Sequence, residues 1–79
     1  MTAVALSERL RALVAEQLSL PVEEVGLDLD FEAFGLDSVE KVELLARIED
    51  AFDVVVAPAD AVHLATLDDV VRYLALRRA

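Results

Sequence analysis

The residues best placed to do chemistry are Gly35-Leu36-Asp37-Ser38. A glycine turn leads into an Asp-Ser pair, and the pair opens a run of apolar and charged residues at helical spacing. A serine at the first position of a helix lies among backbone N–H groups that lack helical partners, at the positive end of the macrodipole. A phosphate joined to its hydroxyl is favoured there, by about 0.3–1 kcal/mol at an exposed position. Asp37 can cap the helix or hold a cation. Taken alone, such a pair is common at helix starts and fits a plain N-cap followed by a small residue, so both readings stand at this point.

Other chemistries are excluded. Ser38 as a nucleophile needs a base, and His63 is the single histidine. The glycine-flanked elbow of serine hydrolases is absent, and His63 is expected as a partly buried residue of a short helix. The chain has no cysteine, which rules out disulfides, thiolate metal sites and a nucleophilic thiol of its own. A calcium loop beginning at Asp28-Leu29-Asp30 would need Gly at its sixth position and Glu at its twelfth. Ala33 and Val39 stand there. No catalytic residue and no metal ligand is assigned.

Helices must position the serine. Leu6, Leu10, Leu13, Val14 and Leu18 recur at helical spacing, which predicts a first helix over Ala5 to Leu18. Pro21 stops it. Residues 21–36 are expected as a long ordered loop, packed through Val22, Val25, Leu27, Leu29, Phe31 and Phe34, with a short turn at Pro21 to Val25. Asp37 and Glu40 form a capping-box-like pair at the start of a second helix, Ser38 to Phe52. Leu44, Ile48 and Phe52 make its core stripe. Val39, Val42, Leu45 and Ala46 widen its apolar surface, which suits either a helix packed on two sides or apolar surface left for a visitor. Asp53-Val54-Val55-Val56-Ala57 reads as a strand by residue type but has no partner strand, so an extended connection is expected. Pro58 to Leu64 can form one short helix. Thr66 and Asp69 repeat the capping pattern before a last helix, Leu67 to Arg77, with Leu67, Val70, Val71 and Leu74 inward and Arg77 and Arg78 at its C-terminal end. The expected fold is an all-α bundle of three main helices plus one short helix, in a single domain over residues 1–79.

Composition narrows the partners. The 79 residues are 57% hydrophobic, with a mean hydropathy of +0.49, yet carry a net charge of −9. That hydrophobicity is incompatible with simple disorder. The acidity disfavours nucleic acid and anionic membranes, and no apolar run approaches a membrane span. Nor does the N-terminus read as a secretory signal, so a cytoplasmic protein is expected. Between Glu23 and Asp53 eleven acids face only Lys41 and Arg47, so this segment alone carries −9. The rest of the chain has five acids and five bases and is neutral.

The run from Phe34 to Phe52, FGLDSVEKVELLARIEDAF, closely resembles the acyl carrier protein family. The resemblance extends to the Pro21-Val22-Glu23-Glu24-Val25 turn, the acidic loop Asp28 to Glu32 and the Thr66-Leu67-Asp68-Asp69-Val70 helix start. It implies that Ser38 is esterified by 4′-phosphopantetheine, donated from coenzyme A by a phosphopantetheinyl transferase. The thiol of that group, holding an acyl chain as a thioester, would supply what the missing cysteine cannot. By the same resemblance Asp37 assists the transferase, often through a divalent cation. Glu43, Glu49 and Asp50, together with Glu40, match acids that dock basic patches on partner enzymes, and Val39 and Ala46 match exposed neighbours of the attachment serine. A merely solvated acidic face is the alternative.

The implied protein is a non-catalytic, monomeric carrier serving acyl-loading, ketosynthase or other biosynthetic enzymes. Three departures bear on its pathway. Val39 stands where many fatty-acid carriers have Leu, Ala57 where they usually have Pro, and Pro58-Ala59-Asp60-Ala61-Val62-His63 is less acidic than their short helix. These lean toward a discrete polyketide or mixed natural-product carrier. Gly35-Leu36 differs from the Gly-Gly common in peptidyl carriers, whereas D-alanyl carriers also use Leu-Asp-Ser, so an aminoacyl load stays open. The other class of reading is an acidic helical adaptor that never carries a group.

Concentrated like charge repels itself. Raising the salt concentration should therefore raise the melting temperature, and a melting temperature flat across a salt series would show that the acids are already balanced.

Overall fold

The computed structural model describes residues 2–78, with the side chain of Arg78 left aside. Three long helices, α1 (Ala3–Leu18), α3 (Ser38–Phe52) and α5 (Leu67–Arg78), carry most of the core. Two one-turn helices, α2 (Phe31–Phe34) and α4 (Pro58–Ala61), and a 3₁₀ turn at Val22–Glu24 lie in the connections. No strand forms among the described residues, only one isolated bridge between Asp30 and Thr66. Val54 to Ala57 run as the expected extended connection, but Asp53 does not belong to it: it closes α3 in the left-handed region at φ 54°, its N–H donating to the Glu49 carbonyl.

Helix α1 starts two residues before its apolar stripe suggests. The Thr2 hydroxyl accepts from the Ala5 N–H at 3.1 Å and so caps two extra residues. Leu6, Leu10 and Val14 are buried as expected, while Leu13 and Leu18 pack at the margin of the core. Helix α3 has the predicted bounds, and Leu44, Ile48 and Phe52 form its buried stripe with Leu45 beside them. In α5 Leu67, Val70, Val71 and Leu74 all face inward. Arg78 falls at the C-terminal end of α5, but its side chain lies outside the described residues.

The long connection contains more structure than expected. Phe31 to Phe34 form a helical turn, with Asp30 accepting from the Ala33 N–H at 3.0 Å and Gly35 closing it. Four residues are too few to show a helical period, so the sequence reads as loop there. Phe31 and Val25 are fully buried; Val22, Leu27 and Phe34 stay exposed. The loop is held mainly through its backbone. The Phe31 N–H donates to the Ala65 carbonyl at 3.0 Å, Leu67 N–H to Leu29 at 3.0 Å, and Asp68 N–H to Leu27 at 2.9 Å. From the other side Arg11 of α1 donates to the carbonyls of Val25 at 2.6 Å and Val22 at 3.0 Å.

The short helix before α5 ends earlier than expected, at Ala61. Beyond it the N–H groups of His63 and Leu64 reach back three residues, to Asp60 and Ala61, which tightens the chain into a turn. His63 therefore lies outside the helix and is exposed, contrary to the expectation of partial burial.

The start of α5 is a second reciprocal cap. The Asp69 carboxylate accepts from the N–H groups of Ala65 and Thr66, both at 3.0 Å, and the Thr66 hydroxyl accepts from the Asp69 N–H at 3.1 Å. The backbone donors, Thr66 first and then Ala65, hold the Asp69 carboxyl below its ordinary value. A depressed carboxyl stabilises the fold above its unfolded-state pKa and loses that contribution as pH falls through the folded value. Asp69→Ala should therefore cost about 1–2 kcal/mol at neutral pH, a gap that closes on acidification. Urea unfolding of both proteins along a pH series checks it. A constant gap would mean that the carboxylate charge is irrelevant.

Candidate functional site

Ser38 owes its place to two consecutive turns. Gly35 ends α2 at φ +108°, a conformation that favours glycine. An added Cβ at Gly35 would meet nothing within 4 Å, so the requirement is one of backbone alone. The Gly35 N–H donates to Glu32 and the Leu36 N–H to Phe31, both at 3.0 Å, which closes α2 and turns the chain. Half-buried Leu36 then anchors the reversal against the core. Asp37 follows in extended geometry and opens α3 with a true capping box. Its carboxylate accepts from the Glu40 N–H at 2.8 Å, and Glu40 Oε1 accepts from the Asp37 N–H at 3.2 Å.

This box decides what is left over. Of the first α3 amides, that of Glu40 is taken by Asp37, and that of Lys41 bonds the Asp37 carbonyl at 3.0 Å. The N–H groups of Ser38 and Val39 precede the first intrahelical bond and remain available. Ser38 is exposed, and its hydroxyl makes no hydrogen bond among the described residues. Asp37 and Glu40 hold their expected positions beside it but are engaged with each other's backbone. His63 makes no hydrogen bond to Ser38.

The outer face of α3 divides by chemistry. Val39 and Val42 are 63% and 64% exposed, and Ala46 is exposed as well, so the apolar surface beyond the core stripe does face solvent. Leu45 is the exception, buried at 4%. Glu43 and Asp50 are exposed and free of internal hydrogen bonds among the described residues. Glu49 is different: its Oε2 accepts from the Val56 N–H at 2.9 Å and ties the extended connection to α3. No periodicity reveals a bond to a residue seven positions away across a helix end.

The ion pairs sharpen the charge pattern. Among the described residues they join Arg47 to Glu16, Arg72 to Asp68 and Arg77 to Asp60. All three acids lie outside the segment from Glu23 to Asp53. Every acid within that segment is without an ion-pair partner among the described residues. Arg47, one of its two bases, turns away to α1, where it also donates to Gln17 at 2.6 Å.

Two of the hollows that adjoin α3 bear on the site. One of about 530 Å³ lies beside its C-terminal half, lined by Arg9, Leu13, Arg47, Asp50 and Phe52. At 1.5 Å rise per residue that is roughly 14 Å or more along the helix from Ser38. Its arginines are engaged, Arg47 as above and Arg9 over the Phe52 ring at 4.6 Å. The other, of about 220 Å³, opens between α3 and α4 and is lined by Val42, Leu45, Ala46, Glu49, Val56, Pro58 and Ala61. Its mouth begins at Val42, one helical turn from Ser38. Val42 is therefore the site neighbour that the sequence left undecided, although its i+4 spacing from Ser38 was the available signal.

Among the described residues no group of three or more histidine, aspartate or glutamate side chains converges to hold a metal ion. No described helix is long and apolar enough to cross a membrane. The residues at Ser38 suit a phosphodiester: an exposed hydroxyl without an internal partner and two free amides. A model of the phosphopantetheine attachment site family matches residues 8–74. Domains of this family carry covalently attached 4′-phosphopantetheine, are modified by phosphopantetheinyl transferases and interact with biosynthetic enzymes. Because the match spans most of the chain, with the Asp-Ser helix start inside it, this protein belongs to the phosphopantetheine attachment family and is a phosphopantetheine carrier protein.

Proposed function

We propose that Ser38 is the attachment residue and that the chain, as one carrier domain, presents acyl intermediates to enzymes of polyketide or fatty-acid type. The observation that carries this reading is the exposed Ser38 hydroxyl, unpartnered at the first position of α3 beside two free amides. In the attachment step the Ser38 oxygen bonds to the pantetheine-side phosphorus of coenzyme A and its proton departs. The phosphoanhydride breaks, and the nucleotide leaves with its phosphates. The amides of Ser38 and Val39 and the helix dipole favour the negative phosphodiester oxygen that remains. Asp37 holds the first turn in register through Glu40, and its second carboxylate oxygen, without a hydrogen bond among the described residues, is left for the transferase and its cation. The attached group supplies a flexible arm ending in a thiol that holds an acyl chain as a thioester.

The protein itself acts as substrate and scaffold rather than as catalyst, and a cytoplasmic monomer suits that role. Exposed Val39, Ala46 and Val42 offer an apolar centre, and Glu40, Glu43, Glu49 and Asp50 an acidic border for basic patches. The less acidic stretch from Pro58 to His63 and the apolar surface beside it favour a polyketide or mixed pathway over bulk fatty-acid synthesis. The nearby hollow between α3 and α4 has room for the start of an acyl chain.

Incubation with coenzyme A, Mg²⁺ and a promiscuous phosphopantetheinyl transferase, followed by intact mass measurement, tests the attachment. Wild type should gain one phosphopantetheine and Ser38→Ala none. Equal gain by both, or none by wild type, refutes the assignment. For docking, Glu43→Lys with Asp50→Lys should slow transferase encounter chiefly in on-rate, and the loss should shrink at high salt. Glu49 is left intact there, because its reversal would also release Val56. Unchanged kinetics would make the acids a solvated face.

A further inference from the structure

We propose that Asp60, clasped by Tyr73 and Arg77, is a specificity-determining residue that fixes the wall of the α3–α4 hollow and limits the length of chain it shelters. The inference rests on the carrier reading above and adds to it the side chains of Asp60, Tyr73 and Arg77.

The residues 57–63 form a strap between two buried anchors, Val56 and Leu64. None of the α4 residues is fully buried, and Ala57 gives the helix no side-chain cap. The backbone-to-backbone hydrogen bonds of the strap stay within residues 57–64. So short a helix has almost no stability of its own. Besides the packing of Ala61 against the core, what ties it to a long helix is the Asp60 carboxylate. Its Oδ2 accepts from the Tyr73 hydroxyl at 2.8 Å and from the Arg77 guanidinium at 3.1 Å, and that guanidinium lies 4.7 Å from the centre of the Tyr73 ring. Tyr73 and Arg77 are one turn apart on α5, so both reach the same carboxylate.

Pro58 and Ala61 of the same turn line the hollow. Helix α4 is therefore a wall whose far side is held by the clasp. At about 220 Å³ the hollow is below the roughly 300–1,000 Å³ of a typical small-molecule site, so a rigid wall admits only a short chain. With the clasp opened, α4 can yield between its two anchors and a longer chain can enter. Partial burial, reinforced by the Asp60 hydrogen bond, raises the Tyr73 phenol above its ordinary value, in keeping with a closed clasp.

The test uses the full chain, charged by the transferase from acetyl-, butyryl-, octanoyl- and dodecanoyl-coenzyme A. Apolar burial makes the melting temperature rise with chain length until the hollow is full. Wild type should stop rising after the short chains. Tyr73→Phe, which keeps the ring, and Asp60→Asn should continue to rise by about 4 °C or more with the longer chains. Arg77→Gln, which leaves the Tyr73–Asp60 bond in place, should fall between them. Tyrosine emission reports the clasp without any load, because Tyr73 is the sole tyrosine and the chain has no tryptophan. A neighbouring carboxylate quenches a phenol, so Asp60→Asn should brighten the unloaded protein. A plateau at the same or a shorter chain length in Tyr73→Phe and Asp60→Asn overturns this inference alone. Failure of wild type to accept any acyl-phosphopantetheine overturns the carrier reading, and this inference with it.

Discussion

The position of Ser38 depends on a segment that contains no long helix. Residues 27–31 are pinned to residues 65–68 by three main-chain hydrogen bonds, and Phe31 is sunk into the core beside them. That pinning sets where α2 sits, α2 sets Gly35, and Gly35 sets the direction in which α3 begins. Two helices distant in sequence thus start from one shared junction. An irregular segment must satisfy its backbone polar groups somewhere. Here the start of α5 and the Arg11 guanidinium satisfy several of them, which is why a long connection can be rigid enough to present a serine.

Helix α3 separates two tasks by face. Leu44, Leu45, Ile48 and Phe52 secure it to the core, while Val39, Val42 and Ala46 stay in solvent. The charge follows the same division. Arginines neutralise acids on α1, α4 and α5, leaving the acids from Glu23 to Asp53 without ion pairs among the described residues. Surface ion pairs contribute little to stability, so the missing pairs are a small loss beside the acids' mutual repulsion, and the unpaired acids keep their field directed outward.

Much of this was legible in the sequence where signals were local. The bounds of α3 follow from the Asp37–Glu40 pair and an unbroken apolar period, and the inward face of α5 follows from the Thr66–Asp69 pair in the same way. The misses share a physical cause. Helix α2 and the end of α4 are single turns, too short for periodicity and fixed by tertiary bonds. His63 looked like a helical residue because nothing local announces the tightening after Ala61. Glu49 looked like one more surface acid, since its bond to Val56 exists only once the chain has left the helix. Val42 was ambiguous because an apolar residue at that spacing suits a core and a binding face alike.

The main-chain character of the junction between residues 27–31 and 65–68 has an evolutionary consequence. Hydrogen bonds between N–H and carbonyl groups do not depend on side-chain identity, proline apart. Mutations at exposed Leu27, Asp28 and Glu32 therefore leave the register of that junction intact. Related chains can diverge freely along this rim and acquire new surface preferences there, while the serine stays in the same place.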